Sequence, residues 1–287
     1  MSPDLFDSWL RDPTRRPRVM GILNVTPDSF SDGGKFTDVS LAAAHAEEMA
    51  AAGAAVIDVG GESTRPGSQP VPAVEQIRRV VPVIRAIRDQ VGALLSIDTT
   101  RATVAEAALD AGAHLINDIS AGRDDPAMLP LAARRGAPIV LMHLKGTPAT
   151  MQDNPVYRDV MAEVMESLRQ RIETALSAGI DRSKILIDPG IGFGKTMNHN
   201  LELIRRLGEL AALGPPVVVG ASRKGFMGRI TGEDLASGRR FATAATVAWA
   251  VTNHAALVRV HDVGPMAQVV RMIEAIQRGA SDEVPVS

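Results

Sequence analysis

The sequence predicts an α/β protein, a single-domain (β/α)8 TIM barrel. Three observations carry this expectation. Eight short runs rich in Val, Ile and Leu alternate with helical patterns along the chain. The runs are apolar throughout, as strands buried on both faces of a parallel sheet must be. The 287 residues accommodate one barrel of about 250 residues without remainder. An open doubly wound sheet is the alternative that the same alternation allows.

The elements follow in order. Residues 1–17 read as a lead-in with one short helix at Asp4–Leu10. Val19–Val25 is the first strand, and its loop Thr26–Gly34 is rich in turn formers. An Ala-rich helix over 38–52 ends at Gly53, a capping glycine. Ala55–Gly60 is the second strand, Gly61–Gly67 its loop, and a helix covers 73–89. Leu94–Asp98 is the third strand, with a helix to Ala111. His114–Asp118 is the fourth, with a helix over 126–135. Pro138–His143 is the fifth, with a longer loop and a long helix over 156–178. The sixth, Ile185–Asp188, ends on a carboxylate. Pro189 and three alternating glycines, Gly190, Gly192 and Gly194, then stop the strand, and a helix starts at about Asn198. Pro216–Gly220 is the seventh strand, Ala221–Gly225 its loop, and a helix spans 238–254. Leu257–His261 is the eighth, followed by a helix over 265–277. The barrel domain so read spans 18–278, and 279–287 form a C-terminal tail.

The net charge of −2 supplies no field for nucleic acid or a membrane surface, so neither is expected as a partner. Aromatics at 3% argue against stacking platforms for single strands. With no cysteine there is no disulfide framework and no thiolate chemistry, which suits a reducing compartment. Residues 1–17 lack the apolar core of a signal peptide, and no apolar run reaches the ~18 residues of a membrane span. The expected location is cytoplasmic.

Each apolar strand nevertheless ends in something costly to bury. In order these are Asn24, the Glu62-Ser63-Thr64-Arg65 loop, Asp98, Asn117 with Asp118, His143, Asp188, Ser222-Arg223-Lys224, and Arg259 with His261. An unpaired buried polar group costs about 1–3 kcal/mol. Eight loci at the same end of eight strands are not accidents of core bonding, and a barrel brings them to one rim. Asp98, Asn117 and Asp188 suit a flat heterocycle with N–H donors, such as a pterin or purine, and Lys224 suits its acceptors. Arg65, Arg223, Arg259 and His261, with Asn24 and the glycine loops, suit a dianion such as pyrophosphate. The residues describe an enzyme that binds a nitrogen heterocycle bearing a phosphorylated leaving group.

Other features read more quietly. Gly190–Thr196 looks like the tail of a P-loop, but Pro189 stands where that loop needs its first glycine. Lys195 is therefore expected as a solvated loop residue. His45, His114, His199 and His254 are expected to be structural or solvent-facing, and His143 either a site wall or structural. His261 shares a strand face with Arg259 and reads as functional. Asp58 reads as a buried partner for a neighbouring loop, and Asp118 as an orienting or capping group. The helix Phe241–Val251 is apolar almost all round, which predicts a second burial surface and a homodimer through 238–254, with thick intramolecular packing as the alternative. No Cys/His cluster indicates zinc, so any metal is Mg2+, with Asn24 and Asp32 as candidates.

Met20–Gly34 and Val59–Gly67 resemble the first two signatures of the dihydropteroate synthases. Ser96–Thr99, Ile116–Ile119, Met142-His143, Asp188–Lys195, Ser222–Lys224 and Arg259–Asp262 are similar to the remaining ones, in order. The resemblance covers about residues 18–278. It implies a (β/α)8 barrel that condenses 6-hydroxymethyl-7,8-dihydropterin diphosphate with 4-aminobenzoate, giving dihydropteroate and pyrophosphate. Matched by position, Asp98, Asn117, Asp188 and Lys224 would bind the pterin, with Met142 lining it. Asn24, Arg65, Arg259 and His261 would hold the diphosphate, with Mg2+ assisted by Asn24 and Asp32. Thr64, Pro66, Phe193, Ser222, Lys224 and Phe30 would frame the aminobenzoate, where sulfonamides would compete. Asp98, Asp188, Lys224, Arg259 and His261 would carry the catalysis. Thr100, Leu144-Lys145 and Gly225 depart from common family residues without touching these positions. Two other functions remain in view. A pterin-binding homologue without synthase activity is disfavoured by the intact set Asp32, Arg65, Lys224, Arg259 and His261. A pterin-dependent methyltransferase would want a corrinoid partner and has no need of the cation cluster.

Overall fold

The computed structural model describes residues 1–26, 35–63, 68–147, 150–151 and 154–279, with the backbone alone for 35–38. Eight strands close in chain order into a barrel: β1 (Arg18–Asn24), β2 (Val56–Gly60), β3 (Leu94–Asp98), β4 (Leu115–Asp118), β5 (Ile139–Met142), β6 (Ile185–Asp188), β7 (Val217–Val219) and β8 (Ala255–Val260). Every neighbouring pair is parallel. The pairing of Met20 with Arg259 joins β1 to β8, so the sheet is closed and the open doubly wound alternative falls.

The helices are α1 (Pro3–Arg11), α2 (Lys35–Ala51), α3 (Ala73–Ile87), α4 (Ala102–Ala111), α5 (Met128–Arg135), α6 (Val160–Ser177), α7 (Met197–Arg205), α8 (Gly225–Thr231), α9 (Arg240–Thr252) and α10 (Val263–Arg278). Helix α6 starts later than the apolar pattern indicated because Asp159 caps it, accepting from the Ala162 N–H at 3.0 Å. Helix α8 has no counterpart in the expected order. Gly225 and Gly228 are poor helix formers, and burial of Phe226 and Met227 overrides that preference.

Strand parity divides the molecule. Outward positions such as Ile57, Ile97, Ile116, Ile139, Ile187 and Val258 pack beneath the helices as the main core. Inward positions at the lower end, Met20, Val56, Leu94, Leu115, Val140, Leu186, Val218 and Leu257, fill the barrel interior. That interior is closed from below by α1. Phe6, Trp9 and Leu10 pack into the same cluster, each burial contributing about 1.5–3 kcal/mol. Lys184, just before β6, donates to both Asp7 oxygens at 2.6 Å and ties α1 to the barrel. The base is thus apolar and plugged, and the polar inward positions lie toward the strands' C-terminal ends. Among the described residues no helix is long and apolar enough to cross a membrane.

Candidate active site

Register builds the rim. Asn24 pairs with Gly60, Gly60 with Asp98, and Asp98 with Asn117, so four strand ends share one level. Met142 pairs with Asp188 across β5 and β6. All six positions have the inward parity of their strands. Gly60 keeps this level clear, since a Cβ there would stand 3.6 Å from Asn24 Oδ1 and 3.7 Å from the Asp98 Cβ.

Below the rim, three strands are tied by charge. Arg259 Nε donates to Asp58 Oδ2 at 2.6 Å, and Nη2 donates to Asp98 Oδ2 at 2.7 Å. Asn117 Nδ2 donates to the same Asp58 oxygen at 2.9 Å. Burial pushes the Asp98 carboxyl well above its usual range, and the Arg259 guanidinium pulls against it. Burial also works against the arginine's charge, but Asp58 and Asp98 outweigh it and its pKa rises. Removing either partner from such a buried pair costs about 3–5 kcal/mol. Asp58 is therefore the hub of the acid cluster and serves strands β4 and β8, where a neighbouring loop was expected.

Asp188, 6% exposed, accepts the Gly190 N–H at 2.6 Å. Burial raises its pKa to about 6, against the opposing pull of that N–H, Lys224 and Lys195. Lys224 follows β7 and places its Nζ 4.0 Å from the Phe193 ring centroid. Phe193 and Met142 join Ile119, Leu144 and Met151 in an apolar cluster, a wall suited to aromatic ligands. Ser222 Oγ accepts the His261 N–H at 3.2 Å and lies 3.1 Å from His261 Nδ1.

Two cations differ from expectation. Lys195 is buried, not solvated: its Nζ donates to the carbonyls of Gly190 and Phe193 and to His143 Nδ1, each at 2.9 Å. His143 is consequently a buried structural partner, and burial, then Lys195, push its pKa down to about 2. Arg223 is paired within the fold. It adopts φ +58° and forks onto Asp262 at 2.9 and 2.7 Å, where α10 begins. Asp118 takes the capping part expected, accepting from Ser120 and Gly122. His199 closes a capping box with Thr196.

The structure thus brings Asn24, Asp98, Asn117, Met142, Asp188, Phe193, Ser222, Lys224, Arg259 and His261 to the barrel's C-terminal end. Phe30, Asp32, Thr64, Arg65 and Pro66 lie outside the described residues. Sequence reasoning underrated Asp58, although its parity, two residues before Gly60, marks it as inward-facing. It missed Tyr157, whose hydroxyl donates to the Gly194 carbonyl at 2.8 Å, and no sequence signal pointed there.

Residues 20–261 match the family model described as pterin binding enzyme. A dihydropteroate synthase of Synechocystis is 45% identical over 269 residues, covering 94% of this chain and 93% of the relative. The structure of Xanthomonas albilineans dihydropteroate synthase with 4-aminobenzoic acid superposes with a TM-score of 0.87 at 46% identity, covering 92% of this chain and 94% of that one. A Yersinia pestis dihydropteroate synthase in complex with a sulfonamide drug gives a TM-score of 0.87 at 43% identity, covering 92% and 95%.

Proposed function

The chain belongs to the pterin-binding enzyme family, with the dihydropteroate synthases, and on that premise we propose how its residues divide the work of folate synthesis. It condenses 6-hydroxymethyl-7,8-dihydropterin diphosphate with 4-aminobenzoate, releasing pyrophosphate and 7,8-dihydropteroate. The observation that carries the division of labour is the single acid and amide cluster, Asp98, Asn117 and Asp188, set inside a barrel mouth whose edge bears Lys224 and His261.

Asp98, Asn117 and Asp188 take the pterin's N–H groups, Lys224 its acceptors, and Met142 its face. Arg259 holds Asp98 and Asp58 in place through Nε and Nη2, and its charge and that of Arg65, with the imidazole of His261 and the amide of Asn24, favour the diphosphate. The C–O bond from the pterin methylene to the diphosphate breaks first. The two carboxylates stabilise the cationic ring that remains. The neutral aniline nitrogen attacks the methylene and releases its proton to solvent, so no strong base is required. Phe193, Ser222 and Lys224, with Phe30, Thr64 and Pro66, frame the aminobenzoate, and sulfonamides compete for that frame.

The chemistry of Asn24 supports Mg2+ as the metal. Asn24 Oδ1 offers one neutral oxygen beside the gap left by Gly60, which suits a hard cation that draws further oxygens from phosphate and water. Asn24 and Asp32 would hold it, and when bound it would neutralise charge on the departing diphosphate.

We assign the chain to a homodimer formed through α9. Phe241, Ala245 and Trp249 recur every four residues on its exposed face, and Phe241 is 87% exposed. The cysteine-free sequence suits a cytoplasmic enzyme.

Incubation with the pterin diphosphate, 4-aminobenzoate and Mg2+ should release pyrophosphate in step with dihydropteroate. Pterin binding without release would identify a binder that has lost the reaction.

A further inference from the structure

Lys195 has no part in the chemistry above, yet it is one of the most deeply buried charges of the chain, 2% exposed. A buried ammonium is costly unless each N–H meets an acceptor. Lysine has three donors, and the carbonyls of Gly190 and Phe193 and the His143 Nδ1 use all three at 2.9 Å. When Lys195 is charged, His143 accepts at Nδ1 and carries its ring proton on Nε2.

We propose that Lys195 is a positioning residue for the condensation: it gathers the β6–α7 turn and the end of β5 around one ammonium, and so aims Asp188 at the heterocycle and Phe193 at the aminobenzoate. This rests on the synthase reading of the site. The connections run in two directions. Lys195 holds the Gly190 carbonyl, and the Gly190 N–H is bonded to Asp188. Lys195 also holds the Phe193 carbonyl, while the Phe193 N–H folds back onto Gly190 at 3.0 Å, and the Phe193 ring lies against Lys224. The turn must approach β5 closely for this. Gly190 has φ +69°, and a Cβ there would stand 1.9 Å from the His143 carbonyl oxygen. Every acceptor of Lys195 therefore lies in the two loops that edge the mouth, and none in the main core. Burial lowers the Lys195 pKa to about 7 while Asp188 pulls the other way, so the two charges also support each other.

The test compares full-length wild type with Lys195→Met, His143→Leu and His143→Asn, whose amide oxygen can replace Nδ1 as acceptor. Lys195→Met is expected to raise KM for 4-aminobenzoate about tenfold or more, with a smaller change in kcat. Amide exchange across 190–194 should quicken in the same variant. His143→Leu should shift KM in the same direction, and His143→Asn should restore most of it. A fall in kcat that tracks the folded fraction, with KM unchanged, would reduce Lys195 to a fold staple and overturn the proposal. If Lys195→Met does not fold, equal KM values in the two His143 variants overturn it. A wild type that releases no pyrophosphate defeats the synthase reading alone, and wild-type exchange rates at 190–194 in Lys195→Met defeat the clamp alone.

Discussion

Arg259 on β8 donates to Asp58 on β2 at 2.6 Å, inside the barrel and beneath the level of Asp98 and Asn117. One carboxylate oxygen thereby orients both the arginine and the asparagine of the proposed pterin site. Asp58→Ala should leave the guanidinium with Asp98 alone, lower stability by about 3–5 kcal/mol and slow turnover by about tenfold or more. Denaturant unfolding and pyrophosphate release measure both. Wild-type values for Asn117- and Arg259-dependent binding in a folded Asp58→Ala protein would show that the hub has no such role.

His261 stands at the mouth with its ring beside Ser222. His261→Ala should slow turnover by more than about tenfold, over about 1.4 kcal/mol of barrier. Ser222→Ala, which removes the neighbour of the ring and one polar group of the aminobenzoate frame, should cost less. An unchanged rate in His261→Ala would remove the imidazole from leaving-group stabilisation.

Burial lifts the Asp188 pKa to about 6, so on acidification its carboxylate is lost at a higher pH than that of an ordinary aspartate. Binding of a pterin that lacks phosphate, followed by calorimetry, should weaken as pH falls through about 6. Affinity held constant down to pH about 4 would contradict the assignment. The stability effect has a definite sign. Because the folded value exceeds the unfolded one, the native state binds more protons between them. Asp188 therefore costs the wild type stability as pH rises from about 4 to about 6, and Asp188→Asn should flatten that slope.

Trp9 caps the barrel interior from the end opposite the rim, stacked on Phe6 at 5.3 Å with its Nε1 donating to the Arg16 carbonyl. Trp9→Ala should cost about 3–5 kcal/mol of stability. KM for both substrates should stay at wild-type values, because the cavity opens below the apolar layer and away from the mouth. A shift in KM would mean that the plug is coupled to the site.

Paired substitutions Phe241→Asp and Ala245→Asp place charge on the exposed face of α9. Sedimentation should show twice 30.4 kDa for the wild type and the single-chain mass for the variant. A wild type that sediments as one chain would leave the apolar face without this use.

The architecture was readable because buried parallel strands must be apolar at nearly every position and must end where the polar residues begin. That pattern alone places Asp98, Asn117, Asp188, Lys224 and His261 at or just beyond strand ends. Side-chain partners were not readable in the same way. Whether a lysine is solvated or enclosed depends on acceptors brought by remote segments: His143 lies 52 residues from Lys195, and Asp58 lies 201 from Arg259. Local sequence predicted Lys195 as an exposed loop cation and Arg223 as a free anion ligand, and only closure of the barrel supplied the carbonyls that enclose the first and the Asp262 carboxylate that occupies the second. Strand order and chemical inventory belong to the chain itself, since they follow from hydrophobic period and residue type. Which charge neutralises which was decided by tertiary structure, because electrostatic pairing acts over a few ångströms of space and is indifferent to distance along the backbone.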